Sequence, residues 1–411
     1  MYAVFEKLIR RGHLRIINSH NKIRDFGEKG AKPSATVRLH DKFLFYKLPL
    51  NFSLYFGEAY MDGGITVEDG TIYDVIEVFA MNYHDMPPLP HKKLFSFILP
   101  MARFIQQHNP VGKAKQNVAH HYDLSDKLYR LFLDPDMQYS CAYYTDPNNS
   151  LEQAQLDKKR HLAAKLQLKP GMKVLDIGSG WGGLAIYLAK TFGVEVTGVT
   201  LSEEQIKIAN RRVKDEGLEG KVKFFLKDYR ELNESFDRIV SVGMFEHVGV
   251  HYYTEFFDKV KQLLTPTGIA LIHSIGRMDG PGATAAWIRK YIFPGGYAPA
   301  LSEVLPVIEK SGMWATDIEI LRLHYAETLK AWRENFNKHR TEIAQIYDER
   351  FCRMWEFYLI GAEMDFRYMY MMNFQLQICK DIRAVPLQRD YIYETEHNSF
   401  QHHETLRKKS A

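Results

Sequence analysis

Residues 173–183 read KVLDIGSGWGG, and they decide how the chain is read. The run Val174–Ile177 is apolar apart from Asp176 and fits a buried strand. A glycine-dense turn follows, then an amphipathic helix. That order places backbone N–H groups at the carboxyl end of a strand, where a small-molecule cofactor can approach closely. Gly178, Gly180 and Gly183 also fit the Gly-x-Gly-x-x-Gly spacing of dinucleotide-binding loops. A dehydrogenase would add an acidic residue about twenty positions on, ending the second strand. Here that strand ends Gly198-Val199-Thr200, with no carboxylate. Asp228 stands instead after the third strand, in KDYRE, where a carboxylate can grip an adenine amino group.

Outward from this stretch, strands and helices alternate. Strands are predicted at 173–177, 194–199, 221–226, 236–242 and 268–275, and helices at 181–191, 202–216 and 252–263. That rhythm specifies a mostly parallel sheet with helices on both faces. Leu151–Leu166 reads as an amphipathic helix with Asn149 or Ser150 as its cap. Residues 1–105 read as a small α+β domain, with Gly/Asp turns at 62–64 and 69–70 and a Pro/His-rich break at 86–93. Residues 106–393 read as one catalytic domain. Within it, 276–300 is Gly/Pro-rich and 327–380 is expected to be strongly helical. The polar tail 394–411 is expected to be disordered.

Bulk properties exclude several classes. The 411 residues allow two or three domains, and 45% apolar with 25% charged residues is ordinary for a globular protein. A net charge of +4, without a Lys/Arg run in the core, argues against a nucleic-acid partner but tolerates an anionic membrane surface. No apolar stretch approaches the ~20 residues of a membrane span. Cys141, Cys352 and Cys379 are scattered, which fits neither a disulfide framework nor a metal cluster, so a reducing cytoplasm is expected. The 24 Tyr and 25 Phe fit first a packed aromatic core, and after it a deep apolar channel or a surface that meets lipid headgroups; composition does not separate these.

Asp176 followed by IGSG resembles the signature of class I S-adenosylmethionine methyltransferases. A closer resemblance extends from about residue 50 to 385. It is carried by GEAYMDG (57–63), HYDLSDKLY (121–129), MQYSCAYY (137–144), LDIGSGWGGLA (175–185), TLSEEQ (200–205), FDRIVSVGMFEHVG (236–249), HSIG (273–276), KYIFPGG (290–296), HYAETLKAW (324–332) and MNFQLQI (372–378). With these motifs in this order, the chain resembles the cyclopropane-fatty-acyl-phospholipid synthase family of bacterial lipid-modifying enzymes. The resemblance implies methyl transfer from S-adenosylmethionine to a cis double bond of a membrane phospholipid acyl chain. A carbocation forms, the added methyl loses a proton, and a ring closes. The base implied is a bound bicarbonate ion, caged by Cys141, Glu246, His273, the backbone of Ile275, and Tyr325. On the cofactor side the resemblance implies Tyr122 and Ser140 at the methionine end, and Asp176, Gly178 and Gly180 at its carboxylate and ammonium. Thr200, Leu201 and Gln205 would meet the ribose and adenosine, and Asp228 and Tyr229 the adenine. Phe245, Tyr291, Phe293 and Tyr297 would wall the double bond. Ser179 departs from the cysteine common in the family's loop, a nearly isosteric change.

The resemblance also implies a homodimer working at the cytoplasmic face of the bacterial membrane, with residues 1–105 engaging lipid. The first seventeen residues, MYAVFEKLIRRGHLRII, read as an amphipathic helix. Lys7, Arg10, Arg11 and Arg15 accompany Val4, Phe5, Leu8, Ile9 and Leu14. Such a helix lies either on an anionic interface or against its own domain. Three other functions stay in view: methylation without ring closure, giving a methyl or methylene branch; a catalytically dead lipid-binding protein; and a nucleic-acid methyltransferase, which would need a basic stacking groove.

Overall fold

A computed structural model describes residues 2–85 and 125–397. They fall into two compact units. One holds 2–85, 282–296 and 325–371, and the other holds 125–281, 297–324 and 372–397. The division departs from the expected one in where two later segments fall. Segments 282–296 and 325–371, expected within the catalytic domain, pack with the N-terminal residues.

The first unit is built on a four-stranded sheet, β1 (His13–Ile17), β2 (Ile23–Gly27), β3 (Ser34–Leu39) and β4 (Ile65–Asp69), in the order β2-β1-β3-β4. Alternate residues of β3 are buried, as expected for a strand with one face on a core. That core joins Leu14, Ile16 and Val37 to Val75 and Val78 of the helix Ile72–Met81, and to Ile360 and Met364 of the helix Glu349–Tyr368. Thr71 and Asp74 form a reciprocal capping box at the start of Ile72–Met81.

The N-terminal helix is shorter than expected. It spans Tyr2–Leu8, and Leu14 and Arg15 belong to β1. Gly12, at φ +75°, makes the turn between them, because a Cβ there would meet the Pro33 carbonyl at 2.8 Å. Phe5, Leu8 and Ile9 are buried in the unit's own core, so this apolar face is not available to a membrane.

The second unit is a seven-stranded sheet: β5 (Lys173–Ile177), β6 (Glu195–Thr200), β7 (Val222–Leu226), β8 (Phe236–Val242), β9 (Leu264–Arg277), β10 (Trp314–Ile320) and β11 (Met371–Cys379). The order is β10-β11-β9-β8-β5-β6-β7. β7 to β9 pair in parallel with their neighbours through β6, β5 and β8, while β10 and β11 are antiparallel. Successive side chains of β5 serve two cores. Val174 packs with the helices Leu151–Leu166 and Gly183–Phe192, and Leu175 and Ile177 pack with Tyr253–Leu263 and Leu301–Ser311. Strand order reverses between β5 and β8, the switch point at whose carboxyl ends α/β sheets hold their ligands.

Two expectations are corrected here. The region 327–380 is helical only to Tyr368, because β11 follows it into the sheet, and β10 was not foreseen at all. Of the expected disordered tail, residues 394–397 continue a helical turn from 391, and Glu396 bonds His161. Among the described residues, no helix is long and apolar enough to cross a membrane, and no His/Cys/Asp/Glu group is placed to hold a metal.

Candidate active site

β5 stops at Ile177 because the chain must turn sharply. Gly178, Gly180 and Gly182 have φ of +84°, +53° and +83°. A Cβ on Gly178 would lie 2.7 Å from the Met244 Cβ, so only glycine admits that approach. The N–H groups of Gly178 and Ser179 donate to the Val199 carbonyl at 2.9 and 3.0 Å, fixing the loop to β6. Over this loop lies a cavity of about 150 Å³. Ser140, Asp176, Gly178, Gly180, Thr200, Leu201, Gln205, Asp228 and Tyr229 all line it. Tyr122 lies outside the described residues.

Asp176 is buried, and burial pushes its carboxyl up to about 7 against the pull of the nearby Lys158 cation. Its Oδ2 has no hydrogen-bond partner among the described residues. A buried acceptor aimed at a cavity is suited to a ligand ammonium. Thr200 Oγ1 donates to Gln205 Oε1 at 2.9 Å, so the hydroxyl and amide expected at the ribose are mutually positioned. Asp228 is engaged locally. The Arg230 guanidinium holds both its oxygens, at 2.9 and 2.7 Å, and Asp228 also caps the turn Tyr229–Glu231.

Several lining residues were not found from sequence: Gln138, Trp181, Arg230, Met244 and His247. Burial lowers the His247 ring to about 4, which keeps it neutral at pH 7. Behind the lining stands Lys158, fully buried, whose Nζ donates to Gln138 Oε1 and Ser140 Oγ, each at 2.8 Å. Desolvation lowers it to about 8. The only sequence signal for Lys158 was a lysine on the inward face of an otherwise ordinary helix.

The expected catalytic residues divide. Glu246 sits on the turn Phe245–His247 after β8, between the cavity-lining Met244 and His247. Its Oε1 accepts from the Ile275 N–H at 2.6 Å, while Oε2 is buried with no hydrogen-bond partner among the described residues. Burial raises this carboxyl to about 7, although the Ile275 N–H favours the ionised form. Ile275 therefore serves Glu246 directly, whereas the resemblance had its N–H facing bicarbonate. His273 is buried on β9 and lowered by desolvation to about 3. Its Nδ1 meets the Gln375 amide at 3.1 Å and its Nε2 meets Asn373 at 3.4 Å, both from β11. Those amides orient the imidazole. Cys141 is buried next to Ser140, its thiol donating to the Ala142 carbonyl at 3.3 Å.

The substrate-wall residues are spread more widely. Phe245 is fully buried among Tyr253, Phe256 and Phe257, an aromatic core position and not a cavity wall. Tyr297 is buried, donating its N–H to the Glu246 carbonyl at 2.9 Å and its hydroxyl to Glu303 at 2.6 Å. Tyr291, Phe293 and Tyr325 belong to the first unit. There Tyr291 donates to Glu58 at 2.9 Å, Phe293 packs on Tyr358, and Tyr325 packs edge-on against Trp332 and Phe366.

A parallel sheet with this strand order, and a glycine loop leading into a helix at its switch point, define a class I S-adenosylmethionine-dependent methyltransferase. The mycolic acid cyclopropane synthase CmaA1, complexed with SAH and CTAB, superposes at a TM-score of 0.62 with 32% identity, over 64% of this chain and 97% of that one. Residues 110–376 match the model of the mycolic acid cyclopropane synthetase family, and the chain belongs to that family. Residues 7–86 match a second model, described as a domain of unknown function. The cyclopropane-fatty-acyl-phospholipid synthase of Escherichia coli K12 is 42% identical over 345 residues, 82% of this chain and 86% of that protein. A Pseudomonas putida protein named "Probable fatty acid methyltransferase" is 44% identical over 257 residues, 61% of this chain and 65% of that protein.

Proposed function

We propose that the protein transfers the methyl group of S-adenosylmethionine to the cis double bond of an unsaturated phospholipid acyl chain and closes a cyclopropane ring. The observation that carries this reading is Glu246. A buried carboxyl, fixed on one oxygen by the Ile275 N–H and with no partner on the other among the described residues, stands in sequence between two residues that line the cofactor cavity. With its acidity near neutrality it can exchange a proton at the operating pH.

The pieces of the site fit the donor. Asp176 offers a bare carboxylate oxygen to the methionine ammonium, and the glycine loop lets the ligand approach the backbone. Lys158 holds Ser140 and Gln138 in place from behind. An alkene is a weak nucleophile, so the reaction depends on holding donor and double bond close and in line. The methyl carbon bonds to one alkene carbon as its bond to sulfur breaks, which leaves a cation on the substrate. Loss of a proton from the new methyl group lets that C–H electron pair close the ring. Bicarbonate, when bound, supplies a base that the cation does not alkylate. The free Glu246 oxygen is the group here suited to hold it. Because the acyl chain is held in a bilayer, the enzyme works at an anionic membrane surface.

The test is to incubate the protein with S-adenosylmethionine and vesicles of a cis-monounsaturated phospholipid, then weigh the acyl chains. A gain of one CH₂ with the double bond gone is expected, slowed in bicarbonate-free buffer and restored on its addition. A gain of one CH₂ with the double bond kept would favour branching without ring closure, the second reading, which the fatty acid methyltransferase relative keeps in view. No gain contradicts both.

A further inference from the structure

With the N-terminal helix face buried, the structure assigns membrane contact to another segment of the first unit. We infer that residues 41–52 form an interfacial docking turn whose Phe43, Tyr46 and Leu50 enter the headgroup region of a phospholipid bilayer. This rests on the proposed phospholipid substrate and names the surface that would reach it.

The segment has two apolar sides. Leu44 and Leu48, one helical turn apart, are 2% and 3% exposed and anchor it in the unit's core. On the outside, Phe43, Tyr46 and Leu50 are 56%, 74% and 78% exposed, and Phe52 follows at 37%. Single exposed apolar residues need no explanation, but four large ones within ten positions do. The helix Leu44–Lys47 carries apolar side chains on two sides, and only the Leu44 side has a core.

The backbone is prepared for a medium poor in water. The Phe43 N–H donates to the Asp41 carboxylate at 2.8 Å, and the Leu44 N–H to the Asp41 carbonyl at 3.2 Å. Tyr46 and Lys47 donate to the Phe43 carbonyl, Leu48 to Leu44, and Leu50 and Asn51 to Lys47. Pro49 has no N–H to satisfy. With these seven donors paired inside the turn, little backbone polarity is carried into the interface.

The charges also suit an anionic bilayer. The first fifty residues hold eleven Lys and Arg against four Asp and Glu. Lys42 lies over the Phe43 ring at 5.0 Å, and Lys47 borders Tyr46. Arg24 lies over the Tyr2 ring, which packs at 4.6 Å on Phe45 of the same turn. Long cationic side chains around an aromatic tip can reach phosphates while the rings enter the interface.

The test uses the full chain and vesicles of phosphatidylethanolamine with phosphatidylglycerol. Wild type should co-sediment, and the triple variant Phe43→Ser/Tyr46→Ser/Leu50→Ser should lose at least about tenfold in partitioning, since three interfacial side chains are removed. A second variant, Leu50→Trp, reads insertion directly: brominated acyl chains should quench its added fluorescence relative to wild type. Turnover on phospholipid in detergent micelles is measured alongside. Should no variant, wild type included, turn over in micelles while the triple variant still fails on vesicles, the substrate reading falls and the docking turn stands. Unchanged vesicle binding by the triple variant, or no quenching at position 50, overturns the docking turn. So does a change from dimer to monomer with vesicle binding intact, which would make the patch a self-association face.

Discussion

Glu246 and Asp176 are two buried carboxyls with the same physics, for which different jobs are proposed. Each is raised to about 7 because burial disfavours its charged form. A raised carboxyl pKa means the folded, ligand-free chain holds its proton more tightly than the unfolded chain. The associated stability is complete below the unfolded value near 4 and is lost as pH rises toward 7. The donor's ammonium should reverse the preference at Asp176. Donor affinity, followed by calorimetry, is expected to rise between about pH 5 and 7. Lys158→Met removes the opposing cation and should move that rise to higher pH, and Asp176→Asn should abolish it along with most of the affinity. Glu246→Gln should lower turnover by about 100-fold or more, the usual scale for a lost acid–base group. Its donor dissociation constant should stay within about threefold of wild type. An equal loss of donor affinity would place Glu246 in the cofactor site instead. These residues were legible because motifs carried them. Lys158 was not, because what marks it is burial against Ser140 and Gln138, contacts spanning about twenty positions of sequence.

At the scale of elements, the glycine loop and the strands from β5 to β9 were legible because period-2 and helical patterns alternate cleanly there, and Ser150 caps its helix as expected. The loop's demand for glycine is steric and testable. Gly178→Ala puts a side chain at φ +84° and against Met244, which should cost about 1–3 kcal/mol in thermal or denaturant unfolding. It should also abolish donor binding, whereas wild-type stability and affinity in this variant would mean the loop can relax. β11 was misread as helix although its code was present. Met372, Phe374, Leu376 and Ile378 pack in one core, while Asn373, Gln375 and Gln377 alternate with them. By composition the polar set would suit a solvent face. In fact it is buried, two of its amides orienting His273 and Gln377 donating to the Lys165 carbonyl. Buried polar partners of this kind cannot be told from exposed ones by composition.

At the scale of the molecule, the sequence showed a break between an N-terminal region and a methyltransferase core, but not that the chain returns. Segments 282–296 and 325–371 join the N-terminal residues through contacts such as Trp287 on Met61 and Tyr60 on Glu356, the latter separated by nearly three hundred positions. The start of the tail, 394–397, was misjudged for a similar reason. His161 bonds Glu319 on β10 and Glu396 beyond 391, and such a clasp leaves no local periodic trace. The central claim concerns the whole reaction, and one measurement tests it most directly. S-adenosylmethionine with a trideuterated methyl group is supplied with monounsaturated phospholipid vesicles, and the product acyl chains are analysed for deuterium and unsaturation. Ring closure with a proton lost from the transferred methyl predicts two deuterons retained and no double bond. Three deuterons retained, or a double bond that survives the transfer, would contradict it.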